Sequence, residues 1–320
     1  MKRAVLVGID HYDSPLPPLH GCVNDVKTLL PLLELNDPDG ANFEAKTCTS
    51  DNDYIGRKEL RDAIDVALGA GADSAVFYFA GHGAPEENDM ILVSQDGRPG
   101  GELGVPLSYL LGRIQRSSVA QIMVILDCCY SGGGGVPQLG SKDFPLRQGV
   151  ALLTASRGDQ TAAELGQGIF TSYLCDALKG GAADVLGHVT VAGVYAYLSA
   201  SFGAFDQRPT FKANLDRLHD LRRCAGAVTE AQVRQLPRIF AAANTTLQLA
   251  PTYEPTADVP EKDFQHQADF VVLQCCRAAG LVEPIGASAP HLWNAAMERK
   301  WCRLTPLGMH YWRLAKQKRI

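Results

Sequence analysis

Two short stretches of this sequence hold residues that could do covalent chemistry. Gly81-His82-Gly83 follows the apolar run Ser74–Ala80 (SAVFYFA). Asp127-Cys128-Cys129-Tyr130-Ser131-Gly132 follows the apolar run Ala120–Leu126 (AQIMVIL). A thiol becomes an effective nucleophile when an imidazole can take its proton and later return it to a leaving amine. Glycines on both sides of His82 let the chain turn tightly and let a substrate approach the backbone. Beyond the strand ends, the backbone N–H groups of Gly83 and Cys129 are candidate donors to an oxyanion. Taken singly, each stretch has a plain structural reading: a histidine in a glycine turn, and a cysteine buried after a strand. At two strand ends with glycine-rich exits, they point together to thiol chemistry in a cleft.

The elements that must bring these residues together are legible as a strand–helix alternation over the first 180 residues. The pattern predicts strands at Arg3–Ile9, Phe43–Cys48, Ser74–Ala80, Ala120–Leu126 and Val150–Ala155. It predicts helices at Cys22–Leu35 (with Pro31 as a kink), Arg57–Leu68, Leu107–Gln115 and Phe170–Lys179. Strands separated by helices imply a three-layer α/β domain with a mostly parallel central sheet. In such sheets, sites form at the carboxyl ends of the strands, where both stretches lie. After about residue 215 the pattern changes. Leu215–Ala243 reads as helical, broken near Gly226 and Pro237. Asn244–Lys262, with Pro251, Pro255 and Pro260, reads as a linker or a strap. Asp263–Ile320 reads as a small unit with helices at Phe264–Ala279, His291–Lys300 and Pro306–Lys316. The expected organisation is therefore 1–243, 244–262 and 263–320.

Composition narrows the class. Of 320 residues, 46% are apolar and 20% charged, which suits a soluble globular chain and argues against wholesale disorder. No uncharged apolar run reaches the ~18 residues of a membrane helix, so no membrane association is expected. The opening Met-Lys-Arg is followed by only Ala4–Ile9 before Asp10, His11 and Asp13, which suits a buried strand better than a signal peptide. A net charge of −5 speaks against nucleic-acid binding by the chain as a whole, although residues 263–320 carry +4. Nine cysteines, with adjacent pairs at Cys128-Cys129 and Cys275-Cys276, do not resemble a disulfide framework; reduced thiols and a cytoplasmic location are expected. His266, Cys275, Cys276, His291 and Cys302 are irregularly spaced, and neither a metal nor a cofactor is expected.

Five stretches, in order, resemble the caspase family of cysteine peptidases in its metacaspase and bacterial caspase-like branch. They are Val7–Tyr12 (VGIDHY), Leu19–Val26 (LHGCVNDV), Phe77–Gly83 (FYFAGHG), Val124–Gly133 (VILDCCYSGG) and Thr154–Glu164 (TASRGDQTAAE). The resemblance covers roughly two-thirds of the chain and implies a caspase-hemoglobinase sandwich. It implies an endopeptidase with His82 as general base and acid and Cys129 as nucleophile. The motif D-x-C-x-S-G selects Cys129, and Cys128 falls at its variable position. It also assigns Asp25 and Asp127 to the S1 pocket, where two carboxylates would hold an arginine, or less well a lysine, of a polypeptide substrate. The plain alternatives are a helix-face or capping carboxylate for Asp25 and a strand-end turn residue for Asp127. Asp159 is assigned to orienting the site or its loop.

Two departures from the family pattern stand out. Ala80 replaces a frequent serine. Glu86, Glu87, Asp89 and Asp96 are looser than a calcium-binding cluster and suit a solvated hairpin, so no calcium requirement is expected. The glycine-rich stretch Gly132–Gly149 occupies the place where activation cleavage commonly falls in the family. Lys142 and Arg147 would suit autoprocessing there, an uncut surface loop being the alternative. The arrangement L-T-x-x-G-x-x-Y-W near the end resembles a winged helix, for which a regulatory protein partner is favoured over DNA. By family analogy the chain would be an effector in bacterial defence or cell death. The rival reading is a peptidase-like scaffold acting through residues 263–320.

Overall fold

The computed structural model describes residues 1–13, 15–38, 40–86, 89–128, the backbone of 129, and residues 145–155, 168–202, 209–216, 220–258 and 263–320. The chain divides into two compact units, one comprising residues 1–183 and 188–224, the other residues 184–187 and 225–320.

The first unit is built on one sheet. Its strands are β1 (Lys2–Gly8), β2 (Glu44–Thr49), β3 (Ser74–Glu86), β4 (Asp89–Val93), β5 (Gly104–Pro106), β6 (Gln121–Cys129), β7 (Val150–Thr154) and β9 (Thr210–Asn214). The order is β2-β1-β3-β6-β7-β9, and β4 and β5 extend from β3. Pairing is parallel from β2 through β7, and β9 closes the edge antiparallel to β7.

The continuous apolar runs have a direct cause, since both faces of the sheet are covered. Val5, Val7, Phe77, Phe79, Val124 and Leu126 pack on one side against α2 (Arg57–Leu68) and α3 (Leu107–Arg116). Leu6, Tyr78, Ala80, Ile125 and Leu153 pack on the other against α1 (Cys22–Glu34), α4 (Ile169–Asp176) and α5 (Val191–Ser201).

The expected end of the third strand is corrected. It does not stop at Ala80 but runs on to Glu86, turning into a hairpin with β4. The hairpin was expected for the acidic stretch. Two of its carboxylates have defined partners: Asp89 accepts from the backbone N–H of Ser108 in the first turn of α3, and Asp96 from that of Arg57 in the first turn of α2. A second correction falls on the stretch read as helical after residue 215. Asp220–Arg223 is a strand, β10, paired antiparallel with β8 (His188–Thr190). Leucines at 215, 218 and 221 have helical spacing, but Leu221 is buried in the core from a strand and Leu215, partly buried, packs against the same core, while Leu218 lies outside the described residues.

The second unit begins at 225 rather than 263. Helices α6 (Glu230–Val233) and α7 (Leu236–Ile239) open it, followed by β11 (Thr246–Gln248), α8 (Phe264–Ala278), β12 (Val282–Ile285), α9 (Leu292–Met297), β13 (Trp301–Leu304) and α10 (Pro306–Lys316). The strands form an antiparallel sheet in the order β11-β13-β12. The segment read as a linker therefore supplies a strand, and Leu249 and Tyr253 within it are buried in this unit's core. Val228, Val233, Leu236, Ile239 and Phe240 join the same core, which moves the boundary from 243 to 224. Residues 184–187 belong here through a hydrogen bond from the Val228 N–H to the Val185 carbonyl and one from the Tyr311 hydroxyl to Asp184. Among the described residues, no helix is long and apolar enough to cross a membrane.

Candidate active site

The carboxyl edge of the parallel sheet gathers the predicted residues of the first unit. In the β3–β6 ladder, Ala80 is level with Asp127, Gly81 with Cys128, and His82 with Cys129. Neighbouring strands lie about 4.8 Å apart, so the backbones at 82 and 129 are immediate neighbours. The last rung between β6 and β7 is Leu126–Thr154, which leaves Cys129 beyond that ladder.

His82 is held on two sides. Its backbone N–H donates to the Tyr12 hydroxyl at 2.8 Å, and the two rings lie 4.9 Å apart between centroids. The Tyr12 hydroxyl in turn donates to the carbonyl of Ile9. Burial pushes the Tyr12 phenol far up, so it stays a neutral donor. His82 Nε2 lies 2.7 Å from the carbonyl oxygen of Pro17. A carbonyl only accepts, so this nitrogen carries the proton, and in the neutral ring Nδ1 is the basic nitrogen. Gly81 is required at its place, because a Cβ there would stand 2.9 Å from Phe79 Cζ and 3.0 Å from the Tyr12 hydroxyl.

Gly83 lies inside the hairpin, not past a strand end, yet its N–H is not used by that ladder. Pro85, level with Met90, has no N–H to exchange. Antiparallel rungs alternate, so the Gly83–Leu92 rung is also of the non-hydrogen-bonded kind, and the Gly83 N–H points away from β4.

The two aspartates converge on the start of α4. Asp25, 1% exposed, accepts from the backbone N–H of Gly168 at 3.0 Å; Asp127, 2% exposed, accepts from the Thr171 hydroxyl at 2.7 Å. Gly168 is the residue capping α4, and Thr171 lies in its first turn. Buried carboxylates are stabilised at such a position by the free N–H groups and dipole of the helix. Tyr78, fully buried beneath them, has its phenol pushed well up by burial and by the charges of Asp127 and Asp25. The start of α1, the helix that carries Asp25, is fixed by Asp10, whose carboxylate accepts from the N–H groups of Cys22 and Val23. The close approach of α1 to β1 needs Gly8, since a Cβ there would stand 2.6 Å from the Cys22 carbonyl.

Cys128 is buried in the core with Val124 and Leu126. Ala80 sits level with Asp127 and offers no hydroxyl. Arg147 lies just before β7. Its guanidinium donates to the carbonyls of Ile114, Gln148 and Val119, pinning the entry to β7 against the end of α3. Lys142 and Asp159 lie outside the described residues. Tyr12, the Pro17 carbonyl, Asp10, Tyr78 and Thr171 were not singled out from sequence. Asp10 and Tyr12 do lie within Val7–Tyr12, directly after the first strand, and that placement was the available signal. Among the described residues no cluster of His, Cys, Asp and Glu has the arrangement of a metal site.

The model of the Caspase domain matches residues 1–220. The chain belongs to the caspase domain family, a family of cysteine peptidases. No curated protein matches the chain. Solved structures similar to it include caspase-1 from Spodoptera frugiperda, 15% identical, with a TM-score of 0.49 over 70% of this chain and 90% of that one. A structural-genomics target protein from Geobacter sulfurreducens is 16% identical, with a TM-score of 0.47 over 68% of this chain and 94% of that one.

Proposed function

We propose that the chain is an endopeptidase of the bacterial caspase-like, metacaspase branch that cleaves polypeptides after arginine and, less well, after lysine. The observation that carries this reading is the level pairing of His82 and Cys129 at the carboxyl edge of the sheet, with His82 anchored through Nε2. In this reading Nδ1 of His82 takes the Cys129 proton and the thiolate attacks the scissile carbonyl carbon. The N–H groups of Gly83 and Cys129 hold the oxyanion. Collapse of the tetrahedral intermediate passes the proton from His82 to the leaving amine and leaves a thioester. Water, deprotonated by the same imidazole, then releases the acid product and restores the thiol. Asp25 and Asp127 supply the negative pocket for the basic side chain.

In the second unit the strand order β11-β13-β12, with α8 between the first two strands in sequence, supports the winged-helix reading; α9 inserted between β12 and β13 is a departure from it. The exposed residues of α8 are Phe264, Gln265, Ala268, Val271, Gln274 and Ala278, four of them apolar and none charged. An apolar face of that kind supports recruitment of a protein partner over contact with a phosphate backbone, which needs cations. A role in bacterial defence or cell death rests on the sequence resemblance alone.

Hydrolysis of fluorogenic peptides ending in arginine by the purified full chain tests the reading. Activity is expected to vanish in Cys129→Ala and His82→Ala and to survive for the most part in Cys128→Ala. An active Cys129→Ala, or a wild-type preference for aspartate, would overturn it.

A further inference from the structure

Asp127 is the end point of a short chain of hydroxyls. An ionised carboxylate only accepts, so the Thr171 hydroxyl gives its single proton to Asp127 Oδ2 at 2.7 Å. The Tyr78 hydroxyl lies 2.7 Å from the Thr171 oxygen, and with the threonine proton already committed, Tyr78 is the donor there. Tyr78 is fully buried and comes from β3, Thr171 is fully buried and comes from α4, and Asp127 comes from β6. Three separate elements thus fix one carboxylate oxygen, and two hydroxyls in series polarise one another in a water-poor interior.

We infer that Tyr78 and Thr171 are positioning residues that set the preference for arginine over lysine by holding the plane of the Asp127 carboxylate. This rests on the assignment of Asp127 to the basic-residue pocket proposed above. The reason lies in how the two side chains are recognised. A guanidinium is a planar fork, and its pairing with a carboxylate depends on the plane and rotation of that group. An ammonium is a point charge with rotatable donors and tolerates a carboxylate that turns. Freeing Asp127 to rotate therefore weakens arginine binding more than lysine binding. The negative charge itself remains, so some affinity for both is kept.

The test uses the full-length chain and Thr171→Val, which keeps the shape and removes the hydroxyl. KM for an arginine peptide should rise roughly tenfold, the loss typical of one charge-assisted hydrogen bond. KM for the matching lysine peptide should rise much less, and kcat for both should stay close to that of the wild type. Tyr78→Phe should shift the ratio in the same direction by a smaller factor, and Thr171→Ser should restore it. Competition by agmatine and by cadaverine, the decarboxylated forms of arginine and lysine, should repeat the pattern. Parallel changes for both substrates, a fall in kcat alone, or failure of serine to rescue would overturn the inference and leave Thr171 a packing residue. Failure of the underlying pocket assignment looks different: Asp127→Ala would then leave KM for arginine peptides unchanged, and agmatine would not compete with substrate even in the wild type.

Discussion

Burial divides the thiols of this chain into those with and without accessible chemistry. Cys175 in the first unit and Cys276 and Cys302 in the second are pushed up to about 12, each chiefly by burial. Such thiols stay protonated and should resist iodoacetamide at pH 8 in the folded protein. They also set an alkaline limit on stability. The native thiol keeps its proton above pH 9, where the unfolded thiol loses its own, so unfolding there releases protons. Stability should accordingly be unaffected by these groups below about pH 9 and decline as pH rises toward 12. Melting temperature against pH checks this; a flat profile over that interval would contradict it. At this scale the sequence was informative where a residue type announces its chemistry. His82 and the cysteine pair stood out because each follows closely on a continuous apolar run. The Pro17 carbonyl could not stand out, because every residue has one. Thr171 lies 44 positions from Asp127, and only the placement of α4 over β6 brings them together.

Single elements show where periodicity is reliable. β1, β3 and β6 were readable because a strand buried on both faces must be apolar throughout, and α10 because its spacing and its Thr305 cap mark both register and start. The hairpin partners β4 and β5, and the edge strands β9 and β10, were not readable. β9 is half-exposed, β5 has three residues, and β10 owes its form to a partner thirty residues away. α1 carries a second lesson, since its N-terminus is capped from a distance. Gly21 offers no side chain, and Asp10, at the end of β1, supplies both acceptors. Asp10→Ala should cost about 1–2 kcal/mol by urea unfolding, the usual penalty for a lost cap. Because α1 also carries Asp25, KM for arginine peptides should rise in the same variant. Unchanged unfolding would show that water replaces the cap at no cost.

At the scale of the whole molecule, the position of the boundary between the units has a direct experimental consequence. A chain ending at Ala243, where the loss of helical pattern suggested a break, would keep Val228, Val233, Leu236, Ile239 and Phe240 and remove the residues that bury them. A chain ending at Cys224 removes that exposed set. The shorter chain should therefore be the more soluble of the two, measured as the monomer fraction by size exclusion after equal expression. The reverse order would place residues 225–243 with the first unit. Proline content misled the reading here, because Pro251 opens a one-turn helix that follows a strand and does not mark a free linker.

The excursion of residues 184–187 into the second unit bears on how the protein is made. These four residues leave the ribosome before β8, β9 and β10 of the first unit, while the residues they pair with, at 228 and 311, emerge later. Vectorial synthesis therefore cannot finish one unit before beginning the other. A gene for this protein assembled by joining two complete modules end to end would not reproduce the path of the chain. Transplanting the second unit onto another domain of the caspase family would need the 184–187 loop carried along with it.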